Sequence, residues 1–264
     1  MSGEKTGLLL AGGPVRFEFA AGFVKKYPYS WVVTADSGLS LCMKLGLRPD
    51  LAVGDFDTFG RERMEALRKE TGWNFEVHRP EKDETDMELA VLGAAAAGCR
   101  RLYVLGGTGG RLDHELSNVL LMKKAKKLGV SMELYDEHNR IFLLEAETDS
   151  GYRFLKDQVY GTYVSFLPLS QKVEGITLEG FRYPLKKKDI SIEENPSLCV
   201  SNELLLEWAQ IFFERGSLIC VESASEFTSS ARCTYHLSPI HNPFPRVPIH
   251  TCPLSSSLRA KTLR

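Results

Sequence analysis

Two carboxylates one residue apart follow a short apolar run in the first quarter of the chain. Asp55 and Asp57 stand after Leu51 to Val53, a run typical of a buried strand. In α/β proteins the carboxyl ends of strands hold phosphate-bearing ligands, and carboxylate oxygens are ligands that Mg²⁺ prefers. The pair is therefore a candidate for phosphate chemistry, although an acidic turn that caps the next helix has the same residue types.

A third carboxylate, Asp86, stands in a polar segment that precedes a helical pattern. Three carboxylates converging at strand ends repel one another by about 1 to 4 kcal/mol per pair at ~4 Å, and a divalent cation removes this penalty. We predict that Asp55, Asp57 and Asp86 bind magnesium together. Asp86 also has a structural interpretation, because Thr85 to Glu88 fits a capping box at a helix N-terminus.

A glycine-rich run, Gly106 to Gly110, lies between an apolar run and a helical pattern. Its backbone amides would form a nest for phosphate oxygens, and Arg111 would add a bidentate cation. The run is not a Walker A loop, because no Lys-Ser or Lys-Thr follows it. By itself it is a weak signal, since a flexible loop in which Asp113 caps the next helix has the same sequence. The pair Gly12-Gly13 is weaker still.

The apolar periodicity indicates the elements that position these residues. In the first half, six apolar runs alternate with helical patterns, which predicts a mostly parallel sheet with helices on both faces. After about Asn139 the apolar residues recur with a period of two, which predicts antiparallel strands. The predicted fold is α/β: a three-layer α/β domain over residues 1–138 carries the phosphate and metal site, and an antiparallel β-sandwich follows over residues 139–224.

Composition restricts the function classes further. The chain has 264 residues and 43% hydrophobic content, enough for two domains. A formal net charge of −1 gives no electrostatic reason to expect nucleic acid or an anionic membrane as a partner. No apolar run is long enough to span a bilayer. Residues 225–264 are rich in proline, serine, histidine and arginine and have no periodicity, so we expect a disordered tail.

The cysteines and the first residues predict a cytoplasmic protein. The first six residues contain no apolar core of a secretion signal, and the cysteines form no CxxC pair or disulfide framework. We therefore expect a reducing compartment, with Cys42, Cys99 and Cys220 acting as small buried apolar residues.

Four motifs within residues 35–114 resemble those of thiamine pyrophosphokinases in order and spacing. They are Ala35 to Gly38, Pro49 to Thr58, Lys82 to Asp86 and Gly109 to His114. Gly175 to Leu185 and Val200 to Glu203 resemble the C-terminal signatures of that family, so the resemblance extends over residues 7–223. In the first motif this chain has Ser37 where the family commonly has glycine.

The resemblance implies transfer of pyrophosphate from ATP to the hydroxyl of thiamine, which gives thiamine diphosphate and AMP. It implies that Asp55, Asp57 and Asp86 hold magnesium and the phosphates and that Arg111 neutralises charge on the transferring group. The α/β domain then becomes the nucleotide- and metal-binding catalytic domain. The proton acceptor stays open between Asp86 and Asp113, because a loose phosphoryl-transfer transition state needs positioning more than a strong base.

For the substrates, the resemblance implies a pocket for nucleotide and thiamine lined by Asp36, Thr108, Asp113 and His114. It implies a thiamine-binding and dimerisation role for the sandwich, where Tyr183 would contact thiamine beside Ser201 and Asn202. A cationic thiazolium on an aromatic face gains ~0.5 to 2 kcal/mol, so the residue type suits the ligand. The expected assembly is a homodimer with shared active sites.

Three other functions stay open from the residues alone. Asp55 to Thr58 also satisfies the DxDxT pattern of haloacid-dehalogenase-type phosphatases, but that motif follows the first strand of its domain, whereas two strands precede it here. A related diphosphokinase that acts on a pterin alcohol would use the same phosphate machinery with a different acceptor pocket. In a non-catalytic ligand-binding module, the acidic loops would only cap helices.

Overall fold

A computed structural model describes residues 4–57, 59–78 and 83–224. The predicted disordered tail, residues 225–264, lies outside the described residues, as do Thr58 and Lys82 of the motifs. The first half contains β1 (Thr6–Leu10), α1 (Phe17–Lys26), β2 (Trp31–Ala35), α2 (Gly38–Lys44), β3 (Leu51–Gly54), α3 (Arg61–Thr71), β4 (Phe75–Val77), α4 (Asp86–Ala96), β5 (Arg101–Leu105), α5 (Leu112–Lys127) and β6 (Ser131–Tyr135). The second half contains β7 (Asn139–Glu145), α6 (Ala146–Asp149), β8 (Tyr152–Leu155), β9 (Tyr163–Pro168), β10 (Lys172–Glu179), β11 (Leu185–Ser191), β12 (Trp208–Phe212) and β13 (Ser217–Ser223).

The large sheet is mostly parallel and has helices on both faces. Its strand order is β4-β3-β2-β1-β5-β6-β7-β13-β9, with β1 to β6 parallel to one another. Successive side chains of a strand point to opposite faces. Leu8 therefore packs with Phe23 of α1, whereas Leu9 packs with Ala90 of α4 and Leu121 of α5. These three layers confirm the predicted α/β fold.

The same sheet continues into the second half of the chain. β7 pairs antiparallel with β6, so the sheet is continuous across residues 138 and 139. β7, β13 and β9 then face a second antiparallel sheet of order β11-β10-β12-β8. Phe166 and Leu218 of the large sheet share one core with Val173 and Ile211 of the small one. This packing confirms the predicted antiparallel sandwich, while a domain boundary at residue 138 stays a prediction.

A buried ion network lies where the parallel and antiparallel strands meet. Arg140 of β7 bonds Glu133 of β6 at 3.0 Å and Glu222 of β13 at 3.3 Å. The carboxylate side chains are 7% and 1% exposed. Burial raises the pKa of Glu222, and the charge of Arg140 acts against this rise. The network thus fixes three neighbouring strands through one shared cation.

The predicted apolar role of three cysteines is confirmed. Cys42, Cys99 and Cys220 are buried, and each is a free thiol. Cys199 is a fourth buried free thiol. None of the helices that the structure describes is both long and apolar enough to cross a membrane.

Candidate active site

A cavity opens at the point where the strand order of the large sheet reverses. β2, β3 and β4 extend to one side of β1, and β5 and β6 extend to the other. Such switch points are the usual ligand sites of open α/β sheets. The cavity has a volume of about 500 Å³. Five of the predicted site residues line it: Asp36, Asp86, Thr108, Arg111 and His114.

Two glycine loops form the floor of this cavity. The backbone N–H of Gly13 donates to the carbonyl of Gly106 at 3.0 Å. A Cβ on Gly13 would lie 2.3 Å from that carbonyl oxygen, so only glycine permits this approach. The loop after β1 is thus packed against the loop after β5, and Gly12-Gly13 is a stronger feature than its sequence indicates.

Asp36 ends β2 in a strained and partly buried position. Its φ angle is 45°, a left-handed conformation that aspartate tolerates better than most residues. Its Oδ1 is buried and has no hydrogen-bond partner among the described residues. Burial raises the pKa of Asp36, and the charges of Asp55, Asp86 and Asp57 raise it further, against a lowering by the backbone N–H of Ser37.

Asp55 and Asp57 are positioned by the phenylalanine between them. Phe56 is fully buried and packs its ring against Phe75 of β4, with 5.6 Å between ring centroids. Its φ angle is 56°, which is unusual for a bulky side chain and indicates a conformation maintained by packing. The backbone N–H of Asp57 donates to Oδ1 of Asp55 at 3.0 Å. The buried ring therefore anchors a turn that carries both carboxylates.

These carboxylates suit a hard cation, although they are not gathered into a finished site. Among the described residues, no group of three or more His, Cys, Asp or Glu side chains is close enough to hold a metal ion. The four acidic residues nevertheless interact electrostatically, since Asp55, Asp57 and Asp86 all act on Asp36. An unpartnered buried oxygen and several hard oxygen donors fit magnesium.

Asp86 begins α4, and the residue before it caps that helix. The hydroxyl of Thr85 accepts a hydrogen bond from the backbone N–H of Glu88 at 3.1 Å, which forms one half of the capping box. The carboxylate of Glu88 instead pairs with Lys124 of α5. Helix capping therefore accounts for Thr85, and the ion pair with Lys124 accounts for Glu88. Asp86 lies on the cavity wall, at the positive end of the α4 dipole.

Arg111 and Asp113 form a two-point ion pair at the cavity rim. Nε and Nη2 of Arg111 donate to the two carboxylate oxygens of Asp113 at 3.1 and 2.6 Å. The hydrogen bond from Arg111 lowers the pKa of Asp113 to about 2, and the backbone N–H of His114 lowers it as well. Arg111 lines the cavity, whereas Asp113, in the first turn of α5, is exposed and is not among the lining residues, although it was predicted to line the pocket.

Two cavity residues on α5 escaped sequence analysis. Asn118 is buried and donates from Nδ2 to the carbonyl of Gly107 at 2.8 Å. Glu115 accepts the backbone N–H of Gly110 at 2.7 Å, so that amide of the predicted phosphate nest already has a partner. The two residues lie about one turn apart on the helix face toward the glycine loop, a placement that depends on which turn of α5 faces the loop.

A second cavity of about 520 Å³ adjoins the first across Pro14 and Thr108. The hydroxyl of Thr108 donates to Oδ2 of Asp136 at 2.9 Å, which ties the glycine loop to the end of β6. Phe19 and residues 136–139 line the far wall. The same edge of the sheet therefore offers a long depression rather than one isolated pocket.

The three residues predicted to contact thiamine lie together in the sandwich. The side-chain amide of Asn202 accepts the backbone N–H of Tyr183 at 3.0 Å and donates to its carbonyl at 2.9 Å. The Asn202 side chain is thus occupied in positioning Tyr183, which is 59% exposed. Ser201 has a φ angle of 58°, and its backbone N–H donates to the hydroxyl of Ser165.

The sandwich group and the cavity lie at the same edge of the sheet but far apart. Asn202 pairs with Val164 at the start of β9, which runs antiparallel to β5. Four strand spacings separate β9 from β5, which is about 20 Å at the usual spacing. Tyr183, Ser201 and Asn202 accordingly do not line the cavity of their own chain.

Two family models match this chain. Residues 26–134 match the model of the thiamin pyrophosphokinase catalytic domain, and residues 152–220 match the model of the thiamin pyrophosphokinase vitamin B1 binding domain. The chain belongs to the thiamin pyrophosphokinase family. The cavity residues Asp36, Asp86, Thr108, Arg111 and His114 lie in the first matched segment, and Tyr183, Ser201 and Asn202 lie in the second.

Individual members of the thiamin pyrophosphokinase family agree over nearly their whole length. The thiamine pyrophosphokinase of Bacillus subtilis is 32% identical over 220 residues, which are 83% of this chain and 99% of the relative. The crystal structure of thiamine pyrophosphokinase from Bacillus subtilis superposes with a TM-score of 0.72 and 29% identity, covering 84% of this chain and all of that one. That of Geobacillus thermodenitrificans gives a TM-score of 0.71 at 30% identity, covering 84% and 99%.

Proposed function

We propose that this protein transfers the pyrophosphoryl group of ATP to the hydroxyl of thiamine. The observation that carries the proposal is the cavity at the switch point of the sheet, where Asp36, Asp86 and Arg111 surround two packed glycine loops and Asp55 and Asp57 act electrostatically on Asp36. Family membership identifies the reaction class, and this cavity is the place that we propose for it. The hydroxyl oxygen of thiamine bonds to the β-phosphorus, the bond from that phosphorus to the α,β-bridging oxygen breaks, and AMP leaves with that oxygen.

In this proposal, Asp55, Asp57 and Asp86 hold Mg²⁺, with Asp36 beside them. When bound, magnesium neutralises phosphate charge and orients the phosphates for in-line transfer. Side chains at Gly13 or Gly106 would collide with the backbone of the opposite loop, so the glycines keep the two loops packed where the phosphates would lie. The start of α4, capped by Thr85, adds the positive end of a helix dipole next to Asp86.

Arg111 is the cation for the transferring group, and Asp113 positions it. A guanidinium held at two points loses less conformational freedom when it meets a phosphate than a free one does. With its pKa lowered to about 2, Asp113 is a poor proton acceptor near neutral pH. We therefore propose that Asp113 positions Arg111.

The acceptor half of the proposal depends on the sandwich. Tyr183 presents an exposed ring that suits a thiazolium cation, and Asn202 fixes the backbone that carries this ring. Because about 20 Å separates this group from the cavity in one chain, we propose a homodimer in which each site combines the cavity of one subunit with Tyr183 of the other. We also propose a cytoplasmic location, where ATP and magnesium are present.

The direct test offers the protein ATP and magnesium with thiamine, with a pterin alcohol, or with no acceptor. AMP should form when thiamine is the acceptor, and neither with the pterin alcohol nor without an acceptor. Its formation should stop when EDTA removes the metal. Asp86→Asn should lower the rate of AMP formation by at least about 100-fold, since it weakens the binding of the magnesium that would neutralise the phosphates. The exposed carboxylate variant Asp157→Asn is the matched control and should behave as the wild type. AMP formation with the pterin alcohol instead would favour the related diphosphokinase.

The shared site is tested separately by complementation. Asp86→Asn and Tyr183→Ala chains should each be nearly inactive alone. After subunit exchange, half of the sites in each heterodimer carry neither substitution, so activity should return. Absence of rescue, despite exchange demonstrated by mass spectrometry, would mean that the site is built within one chain.

A further inference from the structure

The hydroxyl of Ser37 makes a single weak hydrogen bond within the described residues. Ser37 precedes α2, a position where serine usually accepts a backbone N–H from the first turn of the helix, but here the side chain makes no capping bond. The hydroxyl instead lies 3.5 Å from the carbonyl oxygen of Gly12, whereas most O–H···O bonds are about 2.7 to 2.8 Å long. The proton of this hydroxyl is therefore available to a ligand.

The turn that carries Ser37 is packed against the end of β1. The carbonyl of Ser37 accepts the backbone N–H of Ser40 at 3.0 Å. A Cβ on Gly38 would lie 2.0 Å from the carbonyl oxygen of Leu10, so only glycine permits this close packing. A Cβ on Gly12 would lie 2.5 Å from Oγ of Ser37. The hydroxyl thus lies directly over the loop after β1.

This position is between the two parts of the site that the proposed function requires. Ser37 lines the main cavity and follows Asp36, on which the other carboxylates act. On its other side lies the loop of Gly12 and Gly13, which packs against Gly106. The strand order β2-β1-β5 places the three loops in the same sequence along the edge of the sheet. Phosphates that extend from the carboxylates to the glycine loops therefore pass Ser37.

The cavity has few uncommitted donors for phosphate oxygens. Three carboxylates and one arginine line it among the described residues. The hydroxyl of Thr108 already donates to Asp136 at 2.9 Å, and the backbone N–H of Gly110 already donates to Glu115 at 2.7 Å. A neutral hydroxyl beside the carboxylates adds a donor without a further charge. Ser37 has the side chain and the place for this role.

We infer that Ser37 binds a phosphate oxygen of the nucleotide through its hydroxyl. The inference rests on the proposed function and adds to it a contact of this chain's own, since the family commonly has glycine at this position. A contact with phosphate is present before transfer as well as during it. It therefore raises the affinity for the nucleotide and leaves kcat nearly unchanged.

The test measures the binding of a nucleotide that cannot react. α,β-Methylene-ATP has carbon in place of the oxygen between the α and β phosphorus atoms, so calorimetry with magnesium follows its binding without turnover. Ser37→Ala should raise the dissociation constant about 10-fold, as expected for the loss of one hydrogen bond to a charged group. Ser40→Ala is the matched control, because Ser40 lies on α2 outside the cavity. It should bind the analogue as the wild type does.

Kinetics and melting separate a phosphate contact from a structural role. In Ser37→Ala, KM for ATP should rise by a similar factor, while kcat and KM for thiamine stay within about threefold of the wild type. The melting temperature should not change, since the hydroxyl caps no helix. A rise in KM for thiamine in place of ATP, or a clear fall in melting temperature, would overturn the inference.

A second variant moves the hydroxyl without removing it. In Gly12→Ala the new Cβ would lie 2.5 Å from Oγ of Ser37 but 3.8 Å from its Cβ, so the hydroxyl must turn away. Gly12→Ala should therefore weaken binding of the analogue in the wild-type background and add little in the Ser37→Ala background. Equal losses in the two backgrounds would contradict the role of the hydroxyl.

The inference and the proposed function can fail separately. A wild type that binds the analogue more tightly than Ser37→Ala but makes no AMP from ATP and thiamine keeps the phosphate contact and refutes the reaction. A wild type that makes AMP while Ser37→Ala binds the analogue equally well refutes the contact alone. A wild type that does not bind the analogue also refutes the contact.

Discussion

Arg111 and Asp113 are joined by two hydrogen bonds, of 3.1 and 2.6 Å, at the start of α5. Both side chains are well exposed, so this pair contributes little to folding. The pair instead fixes the orientation of the Arg111 guanidinium, whose remaining N–H donors point away from Asp113. This arrangement suits a group that must meet phosphate oxygens in one orientation.

The first prediction concerns that orientation. Arg111→Lys keeps the positive charge but loses the two-point contact, and we expect kcat to fall by at least about 100-fold. Asp113→Asn should have a smaller effect, since an amide still accepts one hydrogen bond from Arg111. Steady-state kinetics of both variants tests this order. A larger loss for Asp113→Asn, with the acidic limb of the pH profile abolished, would identify Asp113 as the base.

The second prediction concerns the ionisation of Asp113. Its pKa is lowered from the usual 3.8 to about 2 mainly by the hydrogen bond from Arg111, so Arg111→Met should raise it toward 3.8. The pair is exposed, so its contribution to the stability of the fold is small; this contribution is present above pH 3.8 and is lost as the pH falls through about 2. Carboxyl NMR titration of wild type and variant measures both values. An unchanged pKa in the variant would contradict the assigned cause.

The third prediction separates stability from activity at Asp36. This carboxylate has one buried oxygen without a hydrogen-bond partner, and three other carboxylates act on it. Asp36→Asn removes a charge that burial and repulsion disfavour, so the metal-free protein should melt at a higher temperature. The same change should lower activity, because an oxygen donor near the metal becomes a weaker ligand. A variant that melts lower without metal would contradict this account.

The grouping of five residues in one cavity was predictable from the sequence, because their motifs follow successive strands. These residues are Asp36, Asp86, Thr108, Arg111 and His114. Strand ends of a parallel sheet share an edge, so residues that follow β2 and β5 must lie near one another. The predicted sheets and helices were confirmed for the same reason, since apolar periodicity reports which faces are buried.

The contribution of Gly12-Gly13, Glu115 and Asn118 was not predictable in the same way. Their roles depend on how closely two loops approach and on which helix turn faces the glycine run, and neither is encoded in local periodicity. Ser37 illustrates the reverse case. It replaces a common glycine of the family, yet its φ and ψ angles of −62° and −14° are ordinary, so no glycine is required there.

The fourth prediction concerns the buried ion network between the two halves of the fold. Arg140→Met leaves Glu133 and Glu222 buried without their shared cation, which should cost about 3 to 5 kcal/mol of unfolding free energy. Combining it with Glu133→Gln and Glu222→Gln should recover most of this loss. Urea denaturation measures both. The exposed pair of Lys156 and Glu207, 3.9 Å apart, is the control, and Lys156→Met should change stability by less than about 1 kcal/mol.

The central claim is attack of the thiamine hydroxyl on the β-phosphorus of ATP. It is tested most directly with ATP that carries ¹⁸O in the oxygen between the α and β phosphorus atoms, with mass spectrometry of the products after incubation with thiamine and magnesium. The account predicts AMP and thiamine diphosphate in equal amounts, with all of the label in AMP. ADP, inorganic phosphate or thiamine monophosphate as the main product, or label in the thiamine product, would contradict it.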